Sequence, residues 1–244
     1  MRNIWIIARK EYKQYFISPI AYAVSFMIFL IVGIIFYANI QAAIVQQFAP
    51  GIDIVVGPLV TILLFSTPAI TMRMISEENR TGTMELLLTA PIRDSELVVG
   101  KWLGGFLFVV TILIITWIYP LVLNMLVKPG IDQGILISSY VGLLLLMAAI
   151  LSIGVATSSL FSNQIAAFFA CLGVLLIFWL IGLPAQALGN TGGGGLLNYL
   201  DLSQHFYNSF YTGVIDLKDV IYYLSVTALA LFLGTVSIET RRWR

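Results

Sequence analysis

Six stretches of this chain, at about 21–41, 52–72, 102–127, 136–161, 164–183 and 219–238, are apolar and almost free of charge. Each approaches the ~20 residues that a helix needs to cross ~30 Å of hydrocarbon. With no water inside a bilayer to bond the backbone, such stretches must close their own N–H and C=O groups, and they do so as helices. The expected fold is therefore an all-α membrane protein with six transmembrane helices. Composition agrees, since 59% of the 244 residues are hydrophobic and only 10% are charged, against about 25% in a soluble domain.

An even number of crossings puts both termini on one side, and the basic residues say which. Arg2, Arg9, Lys10, Lys13, Arg73, Arg80, Arg93, Lys101, Arg241, Arg242 and Arg244 fall on that side; Lys128 and Lys218 fall on the other. The positive-inside rule then makes the termini and the stretch 73–101 cytoplasmic. A net charge of +1, with the basic residues beside apolar runs and not in a stripe, gives no nucleic-acid footprint. The single cysteine, Cys171, sits in an apolar run and reads as a small buried hydrophobe. Nothing at the N-terminus has the pattern of a cleavable signal, so the first span is expected to direct its own insertion.

Charge gathers in one place. Met72 to Lys101 holds Arg73, Glu77, Glu78, Arg80, Glu85, Arg93, Asp94, Glu96 and Lys101, nine of the 25 charged residues, between two apolar runs. Within it Met84, Leu87 and Leu88 share a helical face, Gly82 or Thr83 can cap that helix, and Glu85 suits its first turn. Pro91 ends it, and a second start follows with Asp94 or Ser95 as cap and Glu96 in the first turn. Ahead of the spans, residues 2–17 form a basic amphipathic segment in which Ile4, Ala8, Tyr12, Tyr15 and Phe16 share a face. That segment is expected to lie in the membrane interface, with Arg9, Lys10 and Lys13 toward anionic headgroups and Pro19 separating it from the first span.

The run Glu77 to Lys101, E-E-N-R-T-G-T-M-E-L-L-L-T-A-P-I-R-D-S-E-L-V-V-G-K, resembles the signature of ABC-2-type transporter permeases. Glu77, Glu78, Gly82, Thr83, Glu85, Leu87, Leu88, Pro91, Gly100 and Lys101 match it residue by residue. In that family the segment between the second and third spans holds a coupling helix that docks into a separate ATPase subunit. The resemblance therefore implies ATPase contacts at Glu77, Glu78, Arg80, Gly82, Thr83, Glu85, Leu87, Leu88 and Pro91. It also implies that residues 1–19 are the family's elbow helix, that 1–244 is a single transmembrane domain, and that the protein is multi-pass in the bacterial plasma (inner) membrane. Partners implied are an ABC ATPase, a second permease copy or related chain, and the lipid bilayer. No cofactor is expected on this chain, and ATP with Mg would bind the partner. No phosphate loop is present, since Gly100-Lys101 runs into Trp102 without the upstream glycine.

The longest segment on the other side, 184–218, opens with a glycine-rich turn and continues as an apolar stretch expected to form short interfacial helices. His205 has no second histidine and no acid at ligand spacing, so it reads as a hydrogen-bonding histidine and not a metal ligand. Asp216 reads as the N-cap of the last span, with Asp219 in its first turn. His205-Phe206, Phe210 and the run Gly213 to Asp216 fall where the resemblance sharpens toward the gliding-motility-associated subgroup of ABC-2 permeases. This extracytoplasmic segment leaves room for an auxiliary subunit with an extracytoplasmic domain.

Inside the spans there is no ionisable residue, with Asp53 at the outer end of the second, which speaks against a proton-relay carrier. Small residues at Gly142, Ala149, Ser152, Ala156 and Ser159, and at Ala166, Ala170 and Gly173, read first as packing stripes. Pro58, Pro68 and Pro120 would free the carbonyls of Ile54, Leu64 and Thr116 and can bend their helices. Two functions fit: an ATP-driven exporter subunit, or a subunit that passes ATP-driven motion to an extracytoplasmic partner with nothing crossing. An intramembrane enzyme would need paired polar groups at depth, and lone serines such as Ser152, Ser158 and Ser159 do not supply them.

Overall fold

The computed structural model of the chain describes residues 2–84, 92–183 and 193–242. Among these residues every regular element is a helix. In chain order they are α1 (Arg2–Tyr15), α2 (Pro19–Gln46), α3 (Asp53–Thr71), α4 (Ser76–Thr81), α5 (Asp94–Thr116), α6 (Ile118–Leu126), α7 (Gln133–Leu160), α8 (Gln164–Leu180), α9 (Gly193–Leu200), α10 (Leu202–Tyr207), a 3-10 turn (Phe210–Thr212) and α11 (Leu217–Arg242).

The bundle is organised around α7, which is 67% buried over its most apolar window, while α2 is 22% buried. Helices gain little in hydrocarbon from burying apolar area, so close backbone approach at small residues has to hold them together. α7 provides it on three sides. A Cβ on Gly234 of α11 would sit 3.4 Å from the Cα of Ala156, Thr71 of α3 fills the space over Gly154, and Phe210 covers Gly142. Tyr22, Phe26, Leu30, Ile34 and Tyr37 of α2 stay exposed, an apolar face suited to lipid tails.

Five helical stretches among the described residues are long and apolar enough to cross a bilayer: Pro19–Gln46, Asp53–Thr81, Asp94–Leu126, Gln133–Leu160 and Leu217–Thr240. The expected fifth crossing, 164–183, is represented by the 17-residue α8, which at 1.5 Å per residue spans ~25 Å. The third stretch is not continuous either. α5 ends at Thr116 and α6 begins at Ile118, so the break falls where Pro120 cannot bond the Thr116 carbonyl. Pro58 and Pro68, by contrast, lie inside an unbroken α3, where the hydroxyls of Ser66 and Thr67 bond back to the carbonyls of Ile62 and Leu63.

Two further expectations are corrected. Gly193 to Gly195, read as part of a flexible turn, open α9. Ala166, Ala170 and Gly173 are not the face that α8 buries: Ala167, Cys171 and Leu175 are, and a Cβ on Gly173 would meet nothing within 4 Å among the described residues.

Candidate functional site

One end of the bundle carries the charged junction. α1 lies on α5, with Ala8 and Glu11 buried and Arg9, Lys10 and Lys13 exposed. The face containing Ile4, Ala8, Tyr12 and Tyr15 thus forms as expected, and it packs against a protein helix. Phe16 falls beyond the helix and is 40% exposed. The approach is close because α5 presents Gly100 and Gly104, where a Cβ would lie 3.2 Å from the Ile4 carbonyl and 3.0 Å from the Ala8 carbonyl.

That approach places Glu11 inside, and Lys101 meets it. The Lys101 ammonium, 2% exposed, lies 3.0 Å from Glu11 Oε1 and 2.8 Å from Glu78 Oε1. A lone lysine there would bear most of its desolvation cost, which two charge-assisted hydrogen bonds offset. Oε2 of Glu78 is buried and has no partner among the described residues. Beside this cluster opens a cavity of about 450 Å³ bounded by Lys10, Glu11, Arg73, Glu77, Thr81 and Thr83 among others. Arg73 bonds the Ser18 hydroxyl at 2.9 Å and pairs with Glu77 at 3.7 Å. The Tyr15 hydroxyl donates to the Ile70 carbonyl at 3.1 Å, and burial, with Glu11 nearby, pushes its pKa well above the usual tyrosine range, so it remains a donor.

α4 is fixed at its start by α7. The Ser158 hydroxyl accepts from the N–H groups of Ile75 and Ser76, both at 3.1 Å, and donates to the Met72 carbonyl. Gly82, at φ 74°, ends α4 in the left-handed conformation that glycine adopts at little cost. It is therefore the C-cap of α4, and it also stands immediately ahead of the next helical residues, Thr83 and Met84. Thr83 and Met84 re-enter helix, and Met84 is buried with Met74, Ile75, Leu97, Val98, Val155 and Ile238. Glu85, Leu87, Leu88 and Pro91 lie outside the described residues. Arg80, Gly82 and Thr83 are exposed, Glu77 is half-buried, and Glu78 turns inward to Lys101. α5 starts one residue earlier than expected, with Arg93 as cap: its N–H donates to the Glu96 carboxylate at 3.2 Å.

At the other end of α7, α10 and the 3-10 turn pack onto α7, α10 also touches α8 and α9, and side chains of α11 bond the Leu200 and Leu202 carbonyls and His205. Phe206 and Phe210 are fully buried there. His205 is buried as well, with Nδ1 2.6 Å from Asp219 Oδ1, Nε2 2.9 Å from the Tyr199 carbonyl, and its ring stacked on Tyr222. A carbonyl only accepts, so Nε2 carries a hydrogen; the Nδ1 contact then needs a second proton, on the ring or on the carboxyl. Ser209 donates to the other oxygen of Asp219. His205 is thus the hydrogen-bonding histidine expected, but its acid partner stands fourteen residues away. Asp216 accepts from the Lys218 N–H at 3.0 Å and caps α11.

Glu11 carries no assignment from the sequence, while Ser158 reads there only as a lone serine and Asp219 only as a first-turn acid; their partners, the Ile75 and Ser76 amides and His205, come from the fold. Only the Gly100/Gly104 spacing signalled a close helix contact near Glu11.

A bundle of spanning helices with a charged junction at one end and a packed helical cap at the other describes a multi-pass membrane subunit of a larger machine. The model of the ABC-2 family of transporter proteins matches residues 5–242, and the chain belongs to that family. It is also 28% identical over 190 residues to the probable ABC transporter permease protein NosY of Pseudomonas aeruginosa, a match covering 74% of this chain and 68% of the relative. The chain is accordingly a membrane permease subunit of an ABC transporter; such subunits are non-catalytic, and ATP is hydrolysed on a separate partner.

Proposed function

We propose that this permease is the membrane half of an exporter in the bacterial inner membrane, with both termini cytoplasmic and α8 making a sixth crossing. ATP and Mg belong to two ATPase subunits, which dock on residues 73–101 of this chain and of a second copy or related chain. The single observation that carries the reading is the junction around Lys101. There α1, α4 and α5 meet beside a polar cavity whose lining includes Thr81 and Thr83, which precede Glu85, Leu87, Leu88 and Pro91 in the chain. Of the three acids expected as charged contacts, Glu77 and Glu85 serve in that role while Glu78 is turned inward to Lys101, and Leu87 and Leu88 are the apolar anchors. Closure of the ATPases on nucleotide then biases the spans, and by linkage the state of the spans biases nucleotide affinity.

A second reading is favoured by the cap of α9, α10 and the 3-10 turn. Its buried aromatics and its bonds to α11 couple it stiffly to the spans, as a handle pulled on an auxiliary extracytoplasmic subunit would require. The subgroup likeness around His205, Phe206, Phe210 and Asp216 falls on this same cap.

The test is reconstitution of the complex purified through a tag on this chain. Export predicts ATP-dependent flux of cargo into inverted vesicles. Mechanical transmission predicts ATPase activity set by an outer partner with no flux. Glu85→Lys is expected to abolish ATPase-dependent function while insertion persists; full activity of that variant in a verified complex would overturn the docking assignment.

A further inference from the structure

Three helices converge on Lys101, and they are held to one another in different ways. α1 and α5 touch at the backbone over Gly100 and Gly104, so they cannot slide past each other without opening that contact. α4 is joined to α7 at its first turn, where Ser158 takes the N–H groups of Ile75 and Ser76. Glu78 lies further along α4, between that attachment and the longer bond of 3.4 Å from the Asn79 side-chain amide to the Phe161 carbonyl. A push on the end of α4 would strain this long bond first and pivot the helix about the Ser158 contact, with Glu78 on the moving arm.

We infer that Lys101 is a positioning residue that pins α1 to this arm, so that α1, α4 and the start of α5 are displaced together when the ATPase acts. The inference rests on the reading of residues 73–101 as the docking segment. Among the described residues, Lys101 is the one side chain ion-paired to both α1 and α4, through Glu11 and Glu78. Side-chain exposures of 3% for Lys101, 9% for Glu11 and 15% for Glu78 leave little water to exchange for either bond. Breaking one of them leaves a buried charge short of a partner, a far larger loss than opening a surface pair. An ammonium is well suited to such a pin, because a compact charge with three donors can hold two carboxylates approaching from different elements.

Spin labels at Lys13→Cys on α1 and Ile165→Cys on α8, in a Cys171→Ala background, report the position of α1 in the permease–ATPase complex. Nucleotide trapping with ATP and vanadate is expected to shift the distance between them. Glu11→Gln, which lies outside the docking segment, should keep the resting distance, the bound ATPase and the trapped nucleotide, yet lose the shift. If Glu11→Gln does not accumulate folded, Glu11→Met, uncharged and close to glutamate in volume, is read by the same criterion. A shift that survives in the variant, or a trapped parent complex in which α1 stays still, overturns the pin. Absence of any co-purifying ATPase instead defeats the docking reading on which the pin rests.

Discussion

The carbonyl oxygen of Ala8 lies 3.0 Å from the point where Gly104 would carry a Cβ, so α1 and α5 meet backbone to backbone. Glu11 Cβ is closer still, at 2.6 Å. Gly104→Val is expected to force the helices apart at a cost of about 1–3 kcal/mol, the usual range for overpacking. Gly173→Ala, where nothing stands within 4 Å, should leave stability unchanged or raise it by about 0.5–1 kcal/mol through helix propensity. Thermal unfolding in detergent separates the two; equal melting temperatures would mean that α1 is not seated on α5.

This contact shows where sequence reasoning stops. Gly100 and Gly104 have the spacing of a helix-packing motif, and the Ile4, Ala8, Tyr12 and Tyr15 face is legible as amphipathic. Periodicity identifies an apolar face but not what covers it, so a face expected in the interface turned out to lie on α5. The same limit explains α8, where small residues and core-facing residues are both compatible with one apolar helix. Span positions were legible because hydrocarbon thickness sets a length, whereas the break at Trp117 depends on one proline in a continuous apolar run. His205 and Asp219 form no spacing motif, because the turn through Gly213 brings them together. Glu78 was legible as a member of the charged segment; that it turns inward depends on the buried Lys101 ammonium, whose placement periodicity does not give.

Ser158 offers one oxygen to two backbone N–H groups at the turn from α3 into α4. Ser158→Ala would leave the Ile75 and Ser76 amides unsatisfied in a buried setting, and each orphaned group costs about 1–3 kcal/mol. The loss should be local, because the rest of the α7 contact is apolar. Hydrogen exchange at Ile75 and Ser76 is expected to quicken by at least about tenfold, the equivalent of about 1.4 kcal/mol, while exchange in the middle of α7 stays the same. Unchanged protection at those two amides would rule out the bond.

Gly82 ends α4 at φ 74°, and a Cβ there would touch nothing. The objection to a side chain at this point is therefore conformational and not steric. A β-branched residue pays most in the left-handed region and asparagine least among non-glycine residues. Gly82→Val should lower stability by about 1–2 kcal/mol, with Gly82→Asn nearer the parent protein. If the two variants melt alike, the left-handed cap is not what the position requires.

His205 holds three pieces of the outer cap: its ring bonds Asp219 of α11 and the Tyr199 carbonyl of α9 while it sits on α10 itself. His205→Phe keeps the stacking on Tyr222 but strips Asp219 of its main partner, leaving a carboxylate that is 1% exposed with only Ser209 to bond it. Removing one member of a buried hydrogen-bonded pair leaves the other unsatisfied at about 1–3 kcal/mol, more if that group is charged, whereas replacing both partners with apolar residues of similar shape is often close to neutral. The double variant His205→Phe/Asp219→Leu is accordingly expected to recover most of the stability that His205→Phe loses, though Ser209 and the Tyr199 carbonyl remain short of partners. Limited proteolysis within 193–212 should follow the same order, fastest in the single variant. Denaturant unfolding in detergent gives the comparison directly: if the double variant is as unstable as the two single losses added together, the bond between His205 and Asp219 does not hold the cap to α11.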